Sequence, residues 1–246
     1  MSDFFTGIPT GNMEFPKTTV MMLDLSLLLA AVLLIILSKK YLNFTRFLKI
    51  IGILLLFEFF IINIWYWLAP FLVSPWPFYH CRLAKMILPV IVLLDASSKT
   101  KPLHIYASLI GFLGAVSAFL IPIPDPFLWP HITIASYFLG HFLLFILSLG
   151  IIVQDLKPWT ARDFLNSQLI LLIANIVLWM SARITKFNYG YFLSPPLFKE
   201  QLAGIHPIAL AFLVIAAHAI LLAICFLFMQ LLKKMLRPKL QSSKIY

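Results

Sequence analysis

Residues 131–154 read HITIASYFLGHFLLFILSLGIIVQ, a run without a single Asp, Glu, Lys or Arg. A helix of that length rises about 36 Å, more than the roughly 30 Å hydrocarbon core of a bilayer. Inside lipid, backbone N–H and C=O groups must bond within their own segment, which a helix achieves. The stretch is therefore read as a transmembrane helix, and the rest of the chain repeats the pattern. Apolar spans are expected at 19–38, 48–73, 81–95, 104–123, 131–154, 166–184 and 206–232. Proline-rich breaks separate them at Ser74-Pro75-Trp76-Pro77, at Pro122-Ile123-Pro124-Asp125-Pro126 and at Pro195-Pro196. The expected fold is all-α: a polytopic membrane helix bundle of about seven transmembrane helices.

Composition agrees with this reading. Of 246 residues, 62% are hydrophobic and only 11% charged, whereas soluble domains carry about 25% charged residues. Seven spans consume most of the chain, so a single membrane domain is expected over 1–246. The net charge of +10 does not signal nucleic acid. Lys39, Lys40, Arg46 and Lys49 share one short connection, and Lys233, Lys234, Arg237, Lys239 and Lys244 share the tail. Such flanks orient helices and attract anionic lipid headgroups. With the N-terminus outside, the cytoplasmic segments 39–49, 96–103, 155–165 and 233–246 hold thirteen basic residues, against Lys17, Lys186, Lys199 and the border residue Arg183 on the other side. The expected orientation is N-terminus outside and C-terminus inside, with a short outer segment 1–18 and a basic cytoplasmic tail 233–246. The first apolar run is expected to be a retained helix, because no charged and small-residue signal-peptide pattern precedes it.

Chemistry is expected where polar residues interrupt the apolar text. Tyr79-His80-Cys81-Arg82 opens the third span, which is short, about 22 Å for some 15 residues. The Ser74–His80 segment before it is expected to dip below the interface beside a cavity. A helix start offers free N–H groups and a positive dipole end, and Arg82 and Lys85 follow within a turn. This setting favours a thiolate, the form a nucleophilic cysteine needs. The alternative is that Cys81 is a small buried hydrophobe. His141 lies ten residues into the fifth span, roughly 15 Å below the surface. It is a candidate base toward Cys81 or an interhelical hydrogen-bonding residue. His218, deep in the seventh span, has the same two readings. Neighbouring helix residues point about 100° apart, which leaves His80 poorly placed as the base. Arg82 and Lys85 share a helix face. They are candidates to hold a phosphate or carboxylate, to pair with the intramembrane Glu58, or to snorkel outward. Asp24 and Asn175 are weaker polar candidates.

Other classes lack support. The chain has no Gly-rich phosphate loop, and the six histidines show no paired metal-ligand spacing with carboxylates, so no metal and no cofactor is expected. The seventh span has no central lysine for a retinal Schiff base. Two cysteines make no disulfide framework, and Cys225 is expected too far from Cys81 to bond with it.

Three patches resemble the YwaF-like bacterial integral membrane proteins, whose animal relatives include the transmembrane protein 164 acyltransferases. They are Trp76-Pro77-Phe78-Tyr79-His80-Cys81, Phe138-Leu139-Gly140-His141, and Asn188-Tyr189-Gly190-Tyr191-Phe192-Leu193 followed by Pro195-Pro196. The resemblance spans roughly 48–230. Two positions depart from the family pattern. Tyr79 stands where the family usually has histidine, with His80 next door, and Ile121 replaces the usual threonine. The resemblance implies acyl transfer on membrane lipids through a cysteine thioester, in a bacterial plasma membrane. On that implication Cys81 is the nucleophile and His141 the base. Arg82 and Lys85 would hold the lipid phosphate, with His80 also lining the substrate site, and Asn188 or Tyr189 would donate to the oxyanion. Two rival readings stand beside it. One is a transporter or channel using Glu58, His141 and His218, disfavoured by the missing internal repeat. The other is a sensor or partner subunit without chemistry.

Overall fold

The computed structural model describes residues 4–11, 17–69, 78–95 and 100–242, with side chains from 22 to 237 within the helical parts. The Ser74–Pro77 break, the first half of the 96–103 connection and the last tail residues lie outside the described residues. Among the described residues seven α-helices follow one another: α1 (Lys17–Tyr41), α2 (Phe44–Leu68), α3 (His80–Leu93), α4 (Lys101–Leu120), α5 (Ile132–Gln154), α6 (Ala161–Thr185) and α7 (Pro207–Ser242). A single 3₁₀ turn, Tyr189–Tyr191, lies between α6 and α7. Among the described residues there is no strand. Six of the helices are long and apolar enough to cross a membrane, and the chain is a multi-pass membrane protein. The third, α3, has only 14 residues. It rises about 21 Å, short of a full crossing.

Helix ends differ from hydropathy boundaries for local reasons. Asn43 Oδ1 accepts from the Arg46 N–H at 3.1 Å and starts α2 at Phe44, four residues before the expected 48. A capping box between Thr160 and Asp163 starts α6 at Ala161 rather than 166. Both signals are polar, so an apolar count cannot see them. At its other end, α2 stops at Leu68, and Ala69 caps it through an N–H bond to the Trp65 carbonyl.

The bundle is built around α4 and α5. Two-thirds of the α5 span is buried (67%), and 56% of α4, against 22% for α1 and α6. Side chains on the outer helices explain the contrast. Leu29, Phe57, Ile173 and Phe212 are all more than half exposed. In lipid this face costs nothing, while in water it would be an aggregating surface. One end of the bundle gathers ion pairs, Lys49–Asp95 and Lys101–Asp163, each at 2.7 Å. The other end, where α3 begins, carries the candidate site.

Candidate functional site

Cys81 is the second residue of α3, half-buried and unbonded to Cys225. Tyr79 precedes the helix in extended conformation and gives no side-chain cap. The first-turn N–H groups therefore gain nothing from it. Gly114 of α4 lies directly against the cysteine: a Cβ on Gly114 would sit 2.9 Å from Cys81 Cβ. A larger residue there would push α3 and the thiol away.

Three tyrosines come within electrostatic reach of Cys81. Tyr79 and Tyr191 rings lie 5.9 Å apart, and Tyr137 of α5 comes within electrostatic reach of Cys81. Burial, and after it the neighbouring Cys81 and Tyr79, pushes the Tyr191 phenol above its usual range, so it remains an O–H donor at neutral pH. Tyr191 has a φ of 62°, a left-handed conformation that is costly for an aromatic residue. Gly190 before it has φ 55°, which glycine tolerates freely. Sequence reasoning singled out Tyr189 in this turn and missed Tyr191. The Asn-Tyr-Gly-Tyr order holds a signal, since a glycine permits a sharp turn that re-aims its neighbour. Tyr189 itself is fully buried, its ring edge-on to Phe78 at 5.1 Å.

Asn188 clamps the turn. Its Oδ1 accepts from the Leu193 and Ser194 N–H groups at 2.9 and 3.1 Å, and its Nδ2 donates to the Ser194 carbonyl at 2.7 Å. Its amide is thus spent on holding the loop that carries Tyr191.

His141 is buried in α5. Its Nδ1 lies 2.6 Å from the Tyr137 carbonyl. A carbonyl only accepts, so Nδ1 carries the hydrogen and Nε2 keeps its lone pair. The Tyr137 ring lies 4.8 Å from the imidazole, and the same tyrosine is within electrostatic reach of Cys81.

Arg82 stacks its guanidinium over Tyr66 at 4.4 Å and Tyr79 at 5.4 Å. Lys85 turns the other way. It is buried and pairs with Glu58 at 3.2 Å, and Ser136 donates to the same carboxylate. Gly140 makes room, since a Cβ there would collide with the Lys85 ammonium. Of the open readings for Lys85, the geometry takes the ion pair with Glu58.

His80 leaves the thiol altogether. Its Nε2 donates to Asn175 Oδ1 at 3.0 Å, and His218 Nδ1 donates to the same oxygen at 2.8 Å. The Tyr106 hydroxyl completes the row with a 3.3 Å bond to His80 Nδ1. This cluster joins α3, α4, α6 and α7. Glu58 and His218 thus belong to separate clusters on different faces of α3. No hydrogen bond among the described residues links them into the single path that a transporter reading needs. Asp24 of α1 is buried, and among the described residues neither carboxylate oxygen has a hydrogen-bond partner. Among the described residues no group of three His, Cys, Asp or Glu side chains is arranged to hold a metal.

Compared with known proteins, residues 14–230 match the sequence profile of one family, described as the TMEM164 family. No curated protein and no solved structure matches the chain.

Proposed function

Because this chain belongs to the TMEM164 family, we propose that it is a membrane-embedded acyltransferase, or lipid acyl hydrolase, working through a thioester on Cys81. The observation that carries the reading is the setting of Cys81. It sits in the first turn of a short helix, pressed on Gly114, with Tyr191 and Arg82 within electrostatic reach and with His141 buried in α5 beside Tyr137.

His141 Nε2 takes the proton of the Cys81 thiol. The sulfur attacks the ester carbonyl carbon of a phospholipid, forming the C–S bond. The first-turn N–H groups and Tyr191 O–H suit the negative charge that develops on the carbonyl oxygen. The C–O bond then breaks, and the leaving alkoxide, a lysophospholipid, receives the proton from His141. In the second half a new alcohol attacks the thioester, gives its proton to His141 and releases the thiolate. Water in place of the alcohol yields a free fatty acid. Tyr191 takes the donor role for which sequence reasoning named Asn188 or Tyr189, because Asn188 is engaged by its own loop. Arg82 remains the cation beside the reacting centre. Lys85, neutralised by Glu58, supports the helix that carries Cys81.

The basic residues at the opposite end support placing the Cys81 end outside. The lipid substrate then enters from the outer leaflet of a plasma membrane. Cys81→Ala and Cys81→Ser in purified protein, assayed for acyl exchange between phospholipids, test the mechanism. Activity is expected to fall to background in both, and full activity in either variant would end this reading.

A further inference from the structure

Between α6 and α7, the loop after the Tyr189–Tyr191 turn folds back to enclose a cavity of about 240 Å³. Its floor is apolar, made by Phe192, Leu202 and Leu210, and its polar lining includes Arg183, Ser194 and Lys199. Arg183 stands in the last turn of α6, and Lys199 on the loop itself. Among the described residues neither cation has an ion-pair or hydrogen-bond partner. Glu200, the nearest acidic residue in sequence, does not line the cavity. The charge is therefore uncompensated, and it is paired with an oil-like floor.

Two further observations fix the depth. The cavity lies where α6 ends and α7 begins, at the level where the hydrocarbon gives way to headgroups. Around it the chain exposes Ile184 (76%), Leu197 (51%) and Phe198 (68%). Apolar side chains beside cations are the signature of a surface seated in the interfacial layer. The volume is below the roughly 300 Å³ at which pockets begin to hold a whole drug-sized ligand. It suits a headgroup fragment, not an entire lipid. Phe192 and Leu193, which line the cavity, directly follow Tyr191 in the chain. An occupant would thus lie against the residues that directly follow Tyr191 in the chain.

The geometry points to this cavity as a phosphate subsite for a glycerophospholipid, with Arg183 and Lys199 binding the phosphate diester and the apolar floor receiving the glycerol end. The assignment rests on the acyl-transfer reading for its purpose, since it makes the phosphate-bearing lipid the substrate of Cys81, but binding is measurable without chemistry. Arginine holds phosphate oxygens through paired N–H groups and lysine as a point charge.

The test uses the full-length protein in detergent. Retention of phosphatidylglycerol and of uncharged diacylglycerol is followed by native mass spectrometry for the wild type, Arg183→Gln/Lys199→Gln and Arg183→Lys/Lys199→Arg. The Gln pair is expected to lose phosphatidylglycerol retention by about tenfold or more, to keep diacylglycerol retention, and to be rescued by the charge-conserving pair. Equal phosphatidylglycerol retention in the Gln pair overturns the assignment. So does full displacement of the lipid by millimolar inorganic phosphate, which marks a site for a free anion. Cys81→Ala separates the two claims. It is expected to retain phosphatidylglycerol normally while failing to exchange acyl groups. Acyl exchange by Cys81→Ala would end the catalytic reading and leave the binding result standing.

Discussion

The two faces of α3 solve the same problem in different ways. Toward α2 and α5, Lys85 meets Glu58 and Ser136 in a buried ion pair. Toward α4, α6 and α7, His80 meets Asn175, His218 and Tyr106 in a row of neutral hydrogen bonds. One face is held by charge and the other by neutral groups, and the cysteine rides on the helix between them. A short helix that does not span the bilayer has little apolar surface of its own to fix its depth. Polar contacts on both sides supply the fixed position and rotation that an active thiol requires. The difference is in what breaks them. Loss of one charged partner strands a charge in an apolar interior, whereas loss of one neutral partner strands a dipole.

The largest effect is therefore expected on the charged face. Glu58→Ala or Lys85→Ala alone should destabilise the protein by about 3–5 kcal/mol, seen as a large drop in the melting temperature in detergent. The double variant Glu58→Gln/Lys85→Met should recover most of that loss. Additive damage in the double variant would show that the two residues do not act as a pair.

On the neutral face Asn175→Leu removes the shared acceptor from two histidines, and a cost of about 1–3 kcal/mol is expected. The sharper readout is the alkylation rate of Cys81, which should change because His80 is the residue before it. A destabilised variant with an unchanged alkylation profile would detach this cluster from the thiol.

The smallest effect concerns a histidine at the boundary of a span, the residue immediately before α5. His131 caps α5: its Nδ1 accepts from the Thr133 N–H at 3.2 Å, and its Nε2 donates to the Thr6 carbonyl at 3.1 Å. Burial lowers its proton affinity in the folded protein. The unfolded chain binds the proton more readily, so this contribution is complete above the usual histidine value of about 6.5 and is lost as pH falls below it. A decline in stability between neutral and mildly acidic pH is expected, read from thermal melts and flattened by His131→Asn. The same slope in His131→Asn would place the titrating group elsewhere.

Much of this was legible in the sequence. Residues 131–154 announce a membrane helix by length and apolarity alone, and the same reading locates the other long spans. Cys81 stands out because it opens a span inside a polar break, between His80 and Arg82, and His141 because it is an ionisable residue set in an apolar run. Inter-helix partners were not legible. Hydrophobic periodicity shows which residues share a face but not which helix that face meets. Lys85 therefore remained open among three roles until Glu58 was found 27 positions earlier and 3.2 Å away. Asn175 and His218 belong to helices far along the chain from His80, and no local pattern joins them. Tyr191 was hidden for another reason: a left-handed turn re-aims it, and backbone sign is not written in residue type except through Gly190.

The central claim is that Cys81 carries the acyl group. Intact-protein mass after incubation with phospholipid measures it directly. One added acyl mass is expected on the wild type, localised to Cys81, removed by hydroxylamine and absent from Cys81→Ala. A wild-type protein that exchanges acyl groups with no adduct at Cys81, or an adduct that persists in Cys81→Ala, would contradict it.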